Sequence, residues 1–116
     1  MIDDEEAILQ MLRESLSKNG YSVDTVSDGE KALCQLRENR YDVTFCDWKM
    51  PGLNGRQIYE RLRATDPALC RRVVFFSGDV INGHMREFLE REKRPCLAKP
   101  FAFGEVHAAI ATVLKA

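Results

Sequence analysis

Short apolar runs alternate with amphipathic helical patterns from one end of the chain to the other, and this rhythm restricts the fold more than any other feature. After Asp3-Asp4, the stretch EEAILQMLRESLSKNG places Ile8, Met11, Leu12 and Leu16 on one helical face, with Glu5 and Glu6 at the positive end and Asn19-Gly20 as a stop. YSVDTV then alternates as a strand. In SDGEKALCQLRENR, Ser27 and Glu30 have capping-box spacing ahead of Ala32, Leu33 and Leu36. YDVTFC, RRVVFFS and PCLA read as further strands, separated by the helical stretches RQIYERLRA, closed by Asp66-Pro67, and HMREFLEREK. FGEVHAAIATVLKA ends the chain as an amphipathic helix.

Parallel strands need long crossovers, and helices supply them, so the alternation predicts a doubly wound α/β domain with a parallel sheet and helices on both faces. At 116 residues the chain fits one domain spanning 1–116. Only Met1-Ile2 stand before Asp3, whereas a strand ordinarily runs about five or six residues. The first strand is therefore expected to be truncated, with residues missing upstream.

Composition excludes some functions. Seventeen basic against 18 acidic residues give a formal net charge of -1, so no global field draws the chain to nucleic acid. Cys34, Cys46, Cys70 and Cys96 form no C-x-x-C pair and suggest reduced, mostly buried thiols in a cytoplasmic setting. The apolar run from Val73 to Phe76 is too short for a membrane span, and a soluble domain is expected.

In an open α/β sheet, ligands bind beyond the carboxyl ends of the strands. Those ends carry Asp3 and Asp4, Asp47, Ser77-Gly78-Asp79, and Lys99-Pro100. Taken singly, each residue has a bland role: Asp3 and Asp4 as helix caps, Asp47 and Ser77 as turn formers, Lys99 as a solvated charge. Their shared rim favours chemistry instead. Two carboxylates about 4 Å apart repel by roughly 4 kcal/mol at an effective dielectric of 20, so a third calls for a cation or protons. Hard oxygen donors with no convergent His or Cys point to Mg²⁺ rather than zinc. Phosphoryl transfer onto a carboxylate fits this set, with Asp47 attacking, Ser77 bonding a phosphoryl oxygen and Lys99 pairing with another.

Asp3-Asp4 before a helix, DVTFCDWKMPGLNG, FFSGD and LAKPF together resemble the receiver domain of two-component response regulators, over essentially the whole chain. The resemblance implies a five-stranded flavodoxin-like sheet in the order 2-1-3-4-5. It implies that Asp47 accepts phosphate from the phosphohistidine of a histidine kinase or histidine phosphotransfer protein. By position it makes Asp4 a direct Mg²⁺ ligand and Asp3 a ligand acting through water, with Asp47 and the Lys49 backbone carbonyl completing the set. Ser77 matches the family's hydroxyl position, Lys99 its lysine, and Lys99-Pro100 a bond usually cis. Such a domain has at most self-phosphorylation and autodephosphorylation activity.

The sequence departs from the family pattern at Cys96, where a switch aromatic usually stands, and at Gly78, where alanine is commoner. Lys49 and Asp79 occupy the variable positions flanking the site and are expected to modulate phosphate lifetime. An aspartyl-phosphate hydrolase would carry a second acid two residues after its nucleophile, where Lys49 stands. A flavodoxin-like cofactor module would not place DDEE in its phosphate loop. His84 and His107 each sit alone on a helical pattern and Trp48 adjoins Asp47. The short start and the FLEREKRPCLAKPF stretch suggest a receiver excised from a hybrid histidine kinase. A stand-alone regulator is the alternative. Contact with protein partners, and none with nucleic acid or membrane, is expected of the domain itself.

Overall fold

Val73–Ser77, entirely apolar up to its last residue and buried along its whole length, is the centre of the sheet. Such a run suits a strand covered on both faces, as a parallel strand between helices must be. In the computed structural model it pairs in parallel with Thr44–Asp47 on one side and Cys96–Ala98 on the other. We label these strands β2, β1 and β3 respectively; their order in the sheet is β1-β2-β3. The helices are α1 (Glu6–Lys18), α2 (Gly29–Glu38), α3 (Gly55–Thr65), α4 (Pro67–Cys70), α5 (Gly83–Glu92) and α6 (Phe103–Lys115). The structure describes residues 1–3, 5–50, 52–78, 83–99 and 102–115, with the backbone alone for Lys115.

Among the described residues, the expected five strands appear as three strands and two single bridges. Ile2 bridges in parallel to Val26 and to Cys46, which places it between residue 26 and β1. The Ile2 N–H donates to the Phe45 carbonyl at 2.7 Å, and the Asp47 N–H donates to the Ile2 carbonyl at 2.8 Å. The bridge neighbours follow the sequence expected of strands two, one and three. YSVDTV nevertheless forms no ladder, since a ladder needs successive pairs and Met1 to Asp3 supply a single bridge.

Alternation along β2 sorts its side chains between two cores. Val73 and Phe75 join Leu33 of α2, Ile58 of α3 and Phe88 of α5, whereas Val74 and Phe76 join Leu12 of α1 and Val106 of α6. The sheet is thus covered on both faces, as the alternating pattern implied.

Local differences have local causes. Leu9, Leu12 and Leu16 form the buried stripe of α1, and Met11 lies on its outer side at 52% exposure. The α2 cap is Asp28, whose carboxylate accepts from the Glu30 and Lys31 N–H groups, and not Ser27. A carboxylate at the positive helix end outcompetes the neighbouring hydroxyl. Asp66 caps the short helix α4 instead of merely ending α3. Among the cysteines, Cys46 and Cys70 are buried, Cys96 is half-buried and Cys34 is exposed, which corrects the expectation for Cys34.

Candidate functional site

Asp47 ends β1, Ser77 ends β2, and Lys99 directly follows β3, so parallel register alone brings three chemical groups to one edge. Backbone bonds fix the edge. The Lys99 N–H donates to the Ser77 carbonyl at 2.8 Å, and the Trp48 N–H donates to the Phe76 carbonyl at 2.8 Å. Asp3 joins them through the Ile2 bridge.

The loop after Asp47 folds back beneath it. The Gly55 N–H donates to the Trp48 carbonyl at 3.1 Å, and Asn54 and Gln57 form a reciprocal capping box that starts α3. A Cβ at Gly55 would collide with the Asp47 carbonyl, so only glycine permits this approach. Gly52 supplies the positive φ, 73°, that turns the loop. Met50 is buried, whereas the Lys49 side chain is exposed.

Lys99 Nζ is the hub of the site, 2.8 Å from Asp3 Oδ2, 3.3 Å from Asp47 Oδ2 and 3.3 Å from Glu5 Oε1. Asp3 is fully buried, and Asp47 and Ser77 are each 4% exposed. Asp3 also accepts from the Glu5 N–H at 2.9 Å through its other oxygen. Burial pushes the Asp47 carboxyl up to about 7, the Asp3 charge adds to that, and Lys99 opposes both. For Lys99, burial disfavours the ammonium, but the hydrogen bond to Asp3 and the charges of Asp47 and Asp3 prevail and raise its pKa.

Asp3, Glu5 and Asp47 each offer one carboxylate oxygen, and those oxygens lie within 4.8 Å of one another. This hard-oxygen set, two of its members buried, suits a small divalent cation such as Mg²⁺. From the sequence alone, Glu5 stands only at a helix end. It is the N-cap of α1, yet its side chain makes no cap bond and turns to Lys99 instead. The acidic run DDEE was the available signal for it.

The structure therefore brings Asp3, Asp47 and Lys99 into contact and sets Ser77 on the same edge. Asp4 and Asp79 lie outside the described residues, as does Pro100. Cys96 begins β3 with a half-buried thiol that burial, then the nearby Asp47 charge, pushes up to about 11. It packs against the same core as Trp48, whose ring meets Phe75 and Phe88 edge-on at 5.2 and 5.3 Å. His84 and His107 lie on α5 and α6, both exposed, and His107 Nδ1 is 3.0 Å from the Tyr21 hydroxyl. Among the described residues, no helix is long and apolar enough to cross a membrane.

Residues 1–111 match the family model for the response regulator receiver domain. The chain is 35% identical over 115 residues to the response regulator MprA of Mycobacterium sp. (strain KMS), covering 99% of this chain and 49% of that protein. It thus spans about half the length of that relative. The receiver domain of Francisella response regulator 1452 is similar with a TM-score of 0.84 at 26% identity, over 98% of this chain and 93% of the other. TrrA from Thermotoga maritima, solved in complex with Mg²⁺-BeF, is similar with a TM-score of 0.81 at 27% identity, over 97% and 95% of the two chains.

Proposed function

Because the chain belongs to the response regulator receiver domain family and so is a phosphoacceptor of two-component signalling, we propose that Asp47 is the residue that takes the phosphoryl group. The observation that carries this reading is the triple contact of Lys99 with Asp3, Asp47 and Glu5 at the carboxyl edge of the sheet.

In this reading an Asp47 carboxylate oxygen forms a bond to phosphorus as the phosphorus–nitrogen bond of a phosphohistidine breaks. The imidazole leaves and takes up a proton. The donor is a histidine kinase or histidine phosphotransfer protein in the cytoplasm. Lys99 turns from Asp47 toward a phosphoryl oxygen, which its ammonium accommodates without leaving Asp3. Ser77 donates its hydroxyl to a second phosphoryl oxygen. Asp3, Asp4, Asp47 and the Lys49 carbonyl, joined by Glu5, would hold Mg²⁺. When bound, that ion offsets the negative charge of the site and of the incoming phosphoryl group. TrrA, solved with Mg²⁺ and a beryllofluoride group, lends support. Lys49 and Asp79, two residues after Asp47 and Ser77 in the sequence, modulate how long the phosphate lasts.

Incubation with a small acyl-phosphate donor tests the reading. Intact mass should rise by one phosphoryl group with Mg²⁺ and stay unchanged in chelator. Asp47→Asn should gain nothing, and labelling of that variant at the wild-type rate would contradict the assignment.

A further inference from the structure

Glu92 is the last residue of α5, the end of a helix where a carboxylate is least favourable, because the backbone dipole already leaves negative charge there. Its side chain is nevertheless only 11% exposed. Arg63, in the last turn of α3, lies 2.7 Å from Glu92 Oε1, and Arg91 Nε lies 3.7 Å from Oε2. Burial raises the pKa of the Tyr59 hydroxyl, one turn before Arg63 on α3, and the nearby Glu92 charge adds to the rise. An anion withdrawn from water at the wrong helix end is thus held from α3.

The chain beyond Glu92 is fastened as well. Lys93 takes the left-handed region at φ 55°, which is uncommon for a residue with a side chain. The Lys93 and Arg94 N–H groups donate back to the carbonyls of Glu90 at 3.3 Å and Leu89 at 3.0 Å, closing the helix end. Arg94 Nη1 donates to the Cys70 carbonyl at 3.0 Å, where α4 ends, and Arg94 Nε to the Lys93 carbonyl at 3.0 Å. The other end of α5 differs. His84 is exposed, and among the described residues a Cβ placed on Gly83 would meet nothing within 4 Å. Between the two ends, Met85, Phe88 and Leu89 are buried, and Phe88 meets the rings of Trp48 and Tyr59 edge-on at 5.3 and 5.4 Å. Apolar packing is non-directional and tolerates a small slide, whereas hydrogen bonds and close ion pairs depend on distance and angle.

We infer that Glu92 is a pivot pin: gripped by Arg63, it fixes the C-terminal end of α5, so that a change at the Asp47 and Ser77 edge rotates the helix about that end and does not slide it. The inference rests on Asp47 as the phosphoryl acceptor, because the change begins there. Trp48, the residue after Asp47, carries it to Phe88, and Ser77 precedes the free end. Rotation grades the displacement along the helix. At about 1.5 Å per residue, Gly83 stands about 13.5 Å from Glu92 and Phe88 about 6 Å, so Phe88 moves less than half as far as Gly83.

The test is the amide residual dipolar couplings and chemical shifts of the chain, with Mg²⁺ alone and with Mg²⁺ and beryllofluoride as the phosphoryl mimic. Wild-type couplings should report a rotation of the α5 axis against β1 and β2, with shift changes that decline from Gly83 toward Glu92 and are small at Lys93 and Arg94. Glu92→Gln, which keeps the volume of the side chain, and Arg63→Met, which leaves Glu92 in place, should both bind the mimic. In each, the shift changes at Lys93 and Arg94 should grow to match those at Gly83 as the pinned end comes free. An α5 axis that keeps its orientation while its shifts change, or wild-type profiles in both variants, would overturn the pin. Mimic-induced changes that persist in Asp47→Asn, or none anywhere in the wild type, would instead overturn Asp47 as the acceptor.

Discussion

At Lys99 one ammonium holds together three carboxylates, two of which are almost wholly withdrawn from water. Removing one member of such a set leaves uncompensated charge, which in buried pairs costs about 3–5 kcal/mol. Lys99→Met, which keeps the stem, should therefore lower stability in chelator by about 3 kcal/mol, and Mg²⁺ should recover much of that, as denaturant titrations would show. A loss that Mg²⁺ leaves untouched would mean that the cation does not share this site. Asp47 adds a pH dependence of definite sign. Its folded-state pKa of about 7 lies above the ordinary 3.8, so the folded chain holds this proton more tightly than the unfolded chain does. The stability it contributes is complete below the ordinary value and is lost as pH rises to about 7, at about 1 kcal/mol per pH unit across that window. In chelator, Asp47→Asn should flatten this slope between about pH 5 and about pH 7.

Among elements, α5 is the one placed to sense the site. Ser77 precedes it by a short segment, and Trp48, the residue after Asp47, touches its Phe88, which Arg56 and Arg91 also cover at 4.9 and 5.4 Å from the ring centre. Cys96 offers no ring to swing. Hydrogen exchange with and without Mg²⁺ and beryllofluoride should accordingly change within residues 77–90 and persist in Cys96→Ala. Changes centred on Cys96 and β3, or their loss in that variant, would make the thiol the switch. Element identity was legible because strand and helix periods differ so sharply. Which residue caps or which side of a helix is buried was less so. Ile8, Met11, Leu12 and Leu16 and the observed Leu9, Leu12 and Leu16 both satisfy a helical spacing, and only the position of the sheet beneath α1 decides between them. Ser27 had the spacing of a capping box, but the next residue, Asp28, was the stronger acceptor.

At the scale of the molecule, the carboxyl end of the sheet gathers the charged groups around Asp47. Asp3, Asp47 and Lys99 could be brought together on paper because each stands at a strand end, and parallel register converts that into proximity. Glu5 could not, since whether a residue just past a strand end caps its helix or turns to a lysine distant in sequence is decided by tertiary geometry. The missing ladder at YSVDTV has a similar origin: a strand's propensity needs a partner of matching length to be realised. What matters most is which carboxylate carries phosphate. Borohydride reduces an aspartyl-phosphate to homoserine, so labelling with a small phosphodonor and Mg²⁺, then reduction and peptide sequencing by mass, reads the position out. Homoserine at position 47 alone is the predicted result; homoserine at Asp3 or Asp4 with Asp47 unchanged would contradict it.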